Sequence, residues 1–581
     1  MLCVVCNSKN FPSIMGRNIL ASSLQNASFS IIFQIICRCI TFAINAFIVR
    51  NVGREVLGIT NVRLLLLEST LLFLSKEAII RSALSSRHNK QCSWAQLINQ
   101  LWITVPVCFA LAIPCLYIWI NWLSSVDAVY AEQYRFGCFA IAFACIIELT
   151  AEAPIFVGQV FCFVKLKVIL DTGHIFIRSF IFIAIVLLNK DITIYAFGIA
   201  QITSACTIIA GNYAFYYFYI PKLLRYRNEL KKVDDKYILR EKYGQQYENM
   251  EDFPFVSIKQ MLPGVLPNPN SVFNSDLQSL VLSFAKQGIL KQVLTEGEKY
   301  VMSVSPVLTF SEQATYDVVN NMGSLAARFI FRPIEDSAYF YFTQSIARDT
   351  SLAQQKREIV QETSDVLAYV LKTVSSIGLL AFVFAQSYSG TVLLLYGGAD
   401  FVEGGLPELL LRWHSLAIVL LAPNGITEGY MFATNTSKQI DTYNYYMAFF
   451  SVTFLLLSYQ LTNWFGPVGF ILANCCNMSF RIGYSVFYIN RHFHPVGMSP
   501  LRKSLPGPMY LSVLIVCGIV CKISESYFGG RSILCHLFIG ALCTALSVAT
   551  WSFENRELLR TGLARYRTRK QSLTPDDGSG H

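Results

Sequence analysis

The sequence predicts an all-α, polytopic membrane protein with about fourteen transmembrane helices, built as two pseudo-symmetric six-helix lobes plus two C-terminal helices around a central cavity. Three observations predict the membrane-spanning helices, and the repeat and the charges inside the spans, described below, point to the lobes and the cavity. The 581 residues are 54% hydrophobic and only 14% charged, with mean hydropathy +0.44, against roughly 25% charged in average soluble chains. The apolar residues come in long runs, the longest of which, residues 192–220, carries no charge at all. About 20 helical residues cross the ~30 Å of bilayer hydrocarbon, so such runs read as spans. Lysine and arginine, finally, collect in the intervals between the runs. Soluble enzymes, disordered chains and collagen-like chains are excluded.

Taken in order, residues 1–27 hold Lys9 and Arg17 with only a short apolar patch. No cleavable signal peptide is expected there, so the first span serves as the targeting signal. Runs and breakers place spans at 28–49, 58–81, 99–120, 136–158, 168–188 and 192–220, which form an N-lobe over 28–220. Residues 221–272 are basic and tyrosine-rich at the start and end in LPGVLPNPN, a proline-rich linker pattern. They read as a solvated cytosolic hinge beside anionic headgroups. Spans at 273–297, 312–346, 365–386, 408–433, 441–462 and 467–490 make a C-lobe over 273–490. A basic loop and spans at 507–523 and 533–553 fill 491–553, and 554–581 is a polar tail.

With the N-terminus in the cytosol, the cytosolic segments hold 29 Lys and Arg and the opposite side seven. That asymmetry puts both termini in the cytosol. It also accounts for the net charge of +10 without nucleic acid. Most of the seventeen cysteines lie inside apolar runs, where Cys behaves as a small hydrophobe. The pair Cys3 and Cys6 has redox spacing but no second pair to complete a metal site. No GxxxxGK[ST], HExxH or GxSxG pattern occurs, so no enzyme activity, cofactor or metal site is expected.

The charges inside the spans carry the functional signal. A charge at the lipid-facing centre of a helix costs at least about 2.5–3.5 kcal/mol, so intramembrane charges face a cavity or a partner. At about 100° per residue, Gln34, Arg38 and Asn45 share one face of the first span. Arg63, Glu77 and Arg81 share a stripe on the second, with Glu68 and Lys76 on another face. The fourth offers Glu148 and Glu152; the fifth aligns Asp171, His174 and Arg178. Lys286 and Lys291 lie on the seventh, and the eighth aligns Asn321, Arg328, Arg332 and Glu335. Two readings are open: pairing across helices that holds a bundle together, or a hydrated, cation-rich cavity. The cavity reading makes Arg38, Arg63, Lys286, Lys291, Arg328 and Arg332 candidate contacts for an anionic headgroup, since the planar guanidinium binds phosphate bidentately. Asn45, Glu77, Asn321 and Glu335 are the candidate supporting polar residues. Segments 54–81 and 311–339 can be overlaid at an offset of 258, pairing Glu77 with Glu335, and repeated halves are a recurrent transporter plan.

The same regions carry a resemblance. Residues 40–85 (ITFAINAFIVRNVGREVLGITNVRLLLLESTLLFLSKEAIIRSALS), 288–304 (GILKQVLTEGEKYVMSV), 316–335 (YDVVNNMGSLAARFIFRPIE), 424–428 (NGITE) and 469–481 (GFILANCCNMSFR) resemble the eukaryotic "requiring fifty-three" family of oligosaccharide-lipid translocation proteins. The likeness runs from about residue 15 to 495. It implies a protein of the endoplasmic reticulum membrane, in the multidrug/oligosaccharidyl-lipid/polysaccharide exporter superfamily, with two six-helix lobes. The activity it implies is passage of the dolichyl-pyrophosphate-linked Man5GlcNAc2 intermediate from the cytosolic to the lumenal leaflet for N-glycosylation. The implied partners are that glycolipid, membrane lipid and other dolichol-pathway proteins. A non-transporting scaffold or accessory factor of the dolichol-linked oligosaccharide pathway is the alternative. An exporter of small cations is disfavoured, because its path should present carboxylates rather than arginines.

Overall fold

The structure, a computed structural model, describes residues 37–556 apart from 38, 89–92, 124–125, 162, 232–252, 268–274, 305–307, 349 and 530–531. Arg38 therefore lies outside the described residues, as do the first part of the expected 28–49 span, the Cys3/Cys6 pair and most of the tail. Two compact units divide after Val304.

In the first unit, α1 (Cys39–Asn51) leads through Gly53 into α2, which runs through Arg54–Leu57, a π-helical stretch Gly58–Leu64 and Leu65–His88. There follow α3 (Trp94–Trp102 and Thr104–Asn121), α4 (Ala131–Leu149 and Glu152–Val160), α5 (Val164–Leu188), α6 (Thr193–Leu230) and α7 (Ser275–Val304). Ser93 starts α3 with a full capping box, accepting from the Gln96 N–H while the Gln96 side chain takes its own. α4 was expected as one span. It bends by 47° at Thr150–Ala151 instead, just before Pro154, which has no N–H to continue the ladder. α4 and α5 pack along α6, and α2 packs along α7. The lobe assignment from sequence gave α7 to the second half; its contacts put it in the first unit.

The expected solvated hinge is also different. α6 carries on as helix to Leu230, and residues 253–267 return to the unit as a plug. Phe253, Phe255 and Met261 have no exposed surface and join Ile79, Leu97, Phe156, Tyr216 and Tyr226 in one core. Trp94 stacks on Phe161 at 5.5 Å and meets Phe255 edge-on at 5.1 Å. Trp102 Nε1 donates to the Met261 carbonyl at 2.8 Å, and Arg227 Nη2 to that of Phe253 at 3.1 Å.

The second unit begins with α8, whose stretches Phe310–Ala326, the π-helical Ala327–Phe331 and Arg332–Ser345 run on from a Thr309–Glu312 capping box. Then come α9 (Arg357–Gly397), α10 (Leu406–Thr434), α11 (Ser437–Phe465), α12 (Val468–Phe493), α13 (Pro508–Phe528) and α14 (Ile533–Glu554). α10 is the centre, packing against α8, α9 and α12 around Phe342, Leu371, Ile426, Tyr430 and Phe493. α13 and α14 dock on α9, where Tyr388 stacks on the buried His536 at 4.1 Å and donates to its carbonyl at 2.8 Å.

The described parts of the expected spans fall on helices. Among the described residues, eight helices are long and apolar enough to cross a membrane, nine when the two parts of α4 count as one. Of the others, α1 is apolar but shorter in its described residues, and α7 and α8 are not among the helices that qualify. The fold is all-helical.

Candidate functional site: two polar seams

α2 and α8 each contain a π-helical stretch, and such stretches recur at functional sites. Around each, the structure gathers a polar seam.

In the first unit the seam joins α2 to α7. Ser69 donates to Glu296 Oε1 at 3.1 Å and accepts from Gln292 Nε2 at 3.3 Å; the Thr70 and Tyr300 hydroxyls meet at 2.7 Å. Lys299 pairs with Glu296 at 3.1 Å. At the end of the seam stands Arg63, 0% exposed, with Nη2 donating to the Ser303 carbonyl at 2.9 Å. Its own carbonyl accepts from Trp119 Nε1, whose backbone carbonyl in turn accepts from the Tyr134 hydroxyl, both at 3.0 Å. The cavity expectation had Arg63 open to water and on the stripe of Glu77 and Arg81. It is instead enclosed, because the π-helical stretch carries it at its last turn and points it into α7. Glu77 and Arg81, half-buried, pair with each other at 2.6 Å.

The other face of α2 shows pairing across helices. Lys76 lies 3.5 Å from both Glu148 and Glu152, one on each side of the α4 bend. Gln201 of α6 joins Glu68 to Arg178, and His174 Nδ1 meets the Ser204 hydroxyl at 2.9 Å. For these residues the bundle-holding reading is the one realised.

In the second unit the seam centres on Glu428 of α10, 7% exposed. Arg481 of α12 pairs with it through Nη2 and also donates from Nε at 3.3 Å, while the Tyr443 hydroxyl of α11 donates to Oε1. One turn earlier on α10, Gly425 makes room for Glu335: a methyl group there would overlap the Glu335 carboxylate. Likewise Gly323 of α8 faces the buried ring of His414 with no room for a side chain.

Of the expected headgroup cations, Arg332 is exposed, its side chain 71% accessible, and pairs loosely with Asp336 at 3.4 Å. Lys286 is exposed and makes no ion pair among the described residues. Lys291 lies on α7 and Arg328 in the π-helical stretch of α8, and their side chains are outside the described set. Asn45 is exposed on α1, and Asn321 is exposed with its amide donating to Asp317 Oδ2 at 3.2 Å. Residue patterns alone missed Glu428, Arg481, Tyr443, Gln292, Glu296 and Tyr300. A signal was available: the strings 316–335, 424–428 and 469–481 end in Glu335, Glu428 and Arg481, which the fold brings to one seam.

A family model described as "Rft-1: Rft protein" matches residues 22–565. A Drosophila melanogaster protein named "Man(5)GlcNAc(2)-PP-dolichol translocation protein RFT1" is 59% identical over 551 residues, covering 94% of this chain and 98% of that one. Proteins of the same name from Xenopus tropicalis and Mus musculus are 37% and 35% identical, over 96% and 95% of this chain and 99% and 98% of theirs. Among solved structures, "Lipid II flippase MurJ, inward closed conformation" aligns with TM-score 0.49 and 14% identity, over 90% of this chain and 100% of that one.

Proposed function

Because this chain belongs to the Rft protein family, we propose that it translocates the dolichyl-pyrophosphate-linked Man5GlcNAc2 intermediate across the endoplasmic reticulum membrane, from the cytosolic to the lumenal leaflet. The near full-length correspondence with relatives named for that translocation carries the reading. The polar helices fit it. A pyrophosphate head cannot cross hydrocarbon bare, and helices too polar to face lipid supply the water and cations that a crossing head needs.

In this reading Lys286 of the first unit and Arg332 of the second, both exposed, are candidate contacts for the pyrophosphate, and Arg38, Lys291 and Arg328 are candidates by their place in the sequence. Arg63 acts through α7, holding the helix that presents Lys286 and Lys291. Asn45, Glu77, Asn321 and Glu335 supply hydrogen bonds to sugar or hold neighbouring cations in place. The chemistry is binding and release, with no covalent step required of the protein.

Purified protein reconstituted in vesicles with labelled Man5GlcNAc2-pyrophosphoryl-dolichol on one leaflet tests the proposal. Faster arrival of label at the opposite leaflet than in protein-free vesicles is the expected result. Unchanged arrival, alongside accumulation of the same glycolipid in cells lacking the protein, favours the accessory-scaffold reading and overturns translocation.

A further inference from the structure

We propose that the first unit holds an anionic-phospholipid headgroup in a pocket at the end of α6, separate from both polar seams and independent of which glycolipid the protein moves. The pocket encloses about 490 Å³ and is lined by Lys222, Arg225, Ser257 and the rings and side chains of Tyr217, Phe218 and Val256, among others.

Its depth follows from the sequence. Residues 192–220 carry no charge, and Lys222 is the first charge after them. At about 1.5 Å per residue that charge-free run spans about 43 Å, close to the ~40–45 Å of hydrocarbon plus headgroup regions, so Lys222 and Arg225 emerge at the level of the lipid headgroups. Tyr217 and Phe218, 64% and 72% exposed, sit one turn earlier, as interfacial aromatics do beside headgroups. Lys222 and Arg225 are three residues apart and so share a face. Both are exposed, and neither pairs with a carboxylate among the described residues.

The other wall is the plug. Val256, Ser257 and Ile258 stand there because Phe253, Phe255 and Met261 are anchored in the core, so the pocket is built by packing. The Ser257 oxygen accepts the Lys259 N–H at 3.3 Å, leaving the hydroxyl hydrogen free to donate to a phosphate oxygen. Lys259 adds a third exposed cation two residues on. The combination suits a phosphate on a diacyl lipid: the head between Lys222, Arg225 and Ser257, the chains along Tyr217 and Phe218. It does not suit a zwitterionic head, whose choline would approach the same cations.

Full-length protein in detergent is titrated with short-chain phosphatidic acid, phosphatidylcholine, inorganic phosphate or a polyprenyl pyrophosphate, with thermal unfolding as the readout. Ligand bound only by the folded state raises the midpoint. Phosphatidic acid should raise it and phosphatidylcholine should not. Lys222→Ala with Arg225→Ala should weaken the phosphatidic acid effect about 30-fold, which is about 2 kcal/mol for two headgroup-level cations. Its midpoint without lipid should match wild type, and Lys222→Arg with Arg225→Lys should retain binding. Equal stabilisation by phosphatidylcholine or by inorganic phosphate, or an unaffected double-alanine variant, overturns the proposal. A shift from the polyprenyl pyrophosphate alone that needs Lys222 and Arg225 overturns it too, by making the pocket a substrate port. Apart from that last outcome, none of these bears on the translocation assay.

Discussion

Arg63 and Arg332 carry the same charge in opposite environments, and that difference decides how each fails when changed. Arg63 has no exposed surface and ties α2 to α7 through the Ser303 carbonyl. Leaving a buried carbonyl without its donor costs about 1–3 kcal/mol, and a carboxylate buried against that carbonyl costs more. Arg63→Glu should therefore lower steady-state protein, and Arg63→Lys should lower it less. Arg332 stands in the open with a weak helical neighbour, Asp336, and an exposed pair of that kind is worth at most about 1 kcal/mol. Arg332→Glu should keep the protein abundant yet cause the Man5GlcNAc2 lipid to accumulate. Immunoblots of each variant beside lipid-linked oligosaccharide profiles check both; loss of protein at Arg332→Glu would remove it from the set of substrate contacts. Glu428 follows the Arg63 pattern. Glu428→Ala leaves half-buried Arg481 without its carboxylate and the Tyr443 hydroxyl without its acceptor, so abundance should fall. A combined Glu428→Gln and Arg481→Gln variant, which removes both charges, should recover part of it.

At the scale of the element, close approach and anchoring decide. Gly425 lets α8 bring Glu335 against α10, and forcing a methyl group into such a contact costs about 1–3 kcal/mol. Gly425→Ala should lower the unfolding midpoint, whereas Gly429→Ala, one turn on and facing open space, should not. The plug should respond in the same way to loss of its anchor: Phe253→Ala, in a position with no exposed surface, should speed limited proteolysis within 253–267, and unchanged cleavage would mean the segment is held by something other than its core. These two features also mark where the sequence stops being readable. Helix positions were legible because apolar runs and breakers are local, so the described parts of the expected spans meet helices. The bend in α4 was half-legible, since Pro154 is visible but its effect depends on packing. The plug was opaque: Phe253, Phe255 and Met261 lie in a charged, proline-bearing stretch, and only tertiary contact shows that they are core. Arg63 was misplaced because an ideal 100° rotation per residue ignores the π-helical stretch Gly58–Leu64. Glu428 and Arg481 stand far apart in sequence, and no periodicity on a single helix could pair them.

For the whole molecule, orientation rests on the imbalance of 29 basic residues against seven between alternate loops. The natural sequon at Asn435 is a poor reporter of it. Asn435 is 2% exposed and caps α10, its N–H bonded to the Met431 carbonyl, so the folded protein hides it on either side of the membrane. The turn at Gly404–Gly405 serves better. Both glycines are exposed with φ of +83° and +73°, and nothing lies within 4 Å of where a side chain would start, so an inserted acceptor loop disturbs no packing. The surrounding segment 387–406 has Asp400 and Glu403 and no basic residue, which places it in the lumen under the expected orientation. An acceptor sequon inserted at this turn should gain a glycan removable by endoglycosidase. The same sequon appended after residue 581 should not, and a C-terminal tag should be cut by protease added to intact microsomes. Glycan at the C-terminus with none at the Gly404–Gly405 turn would invert the topology, and with it the leaflet at which Lys222 and Arg225 stand.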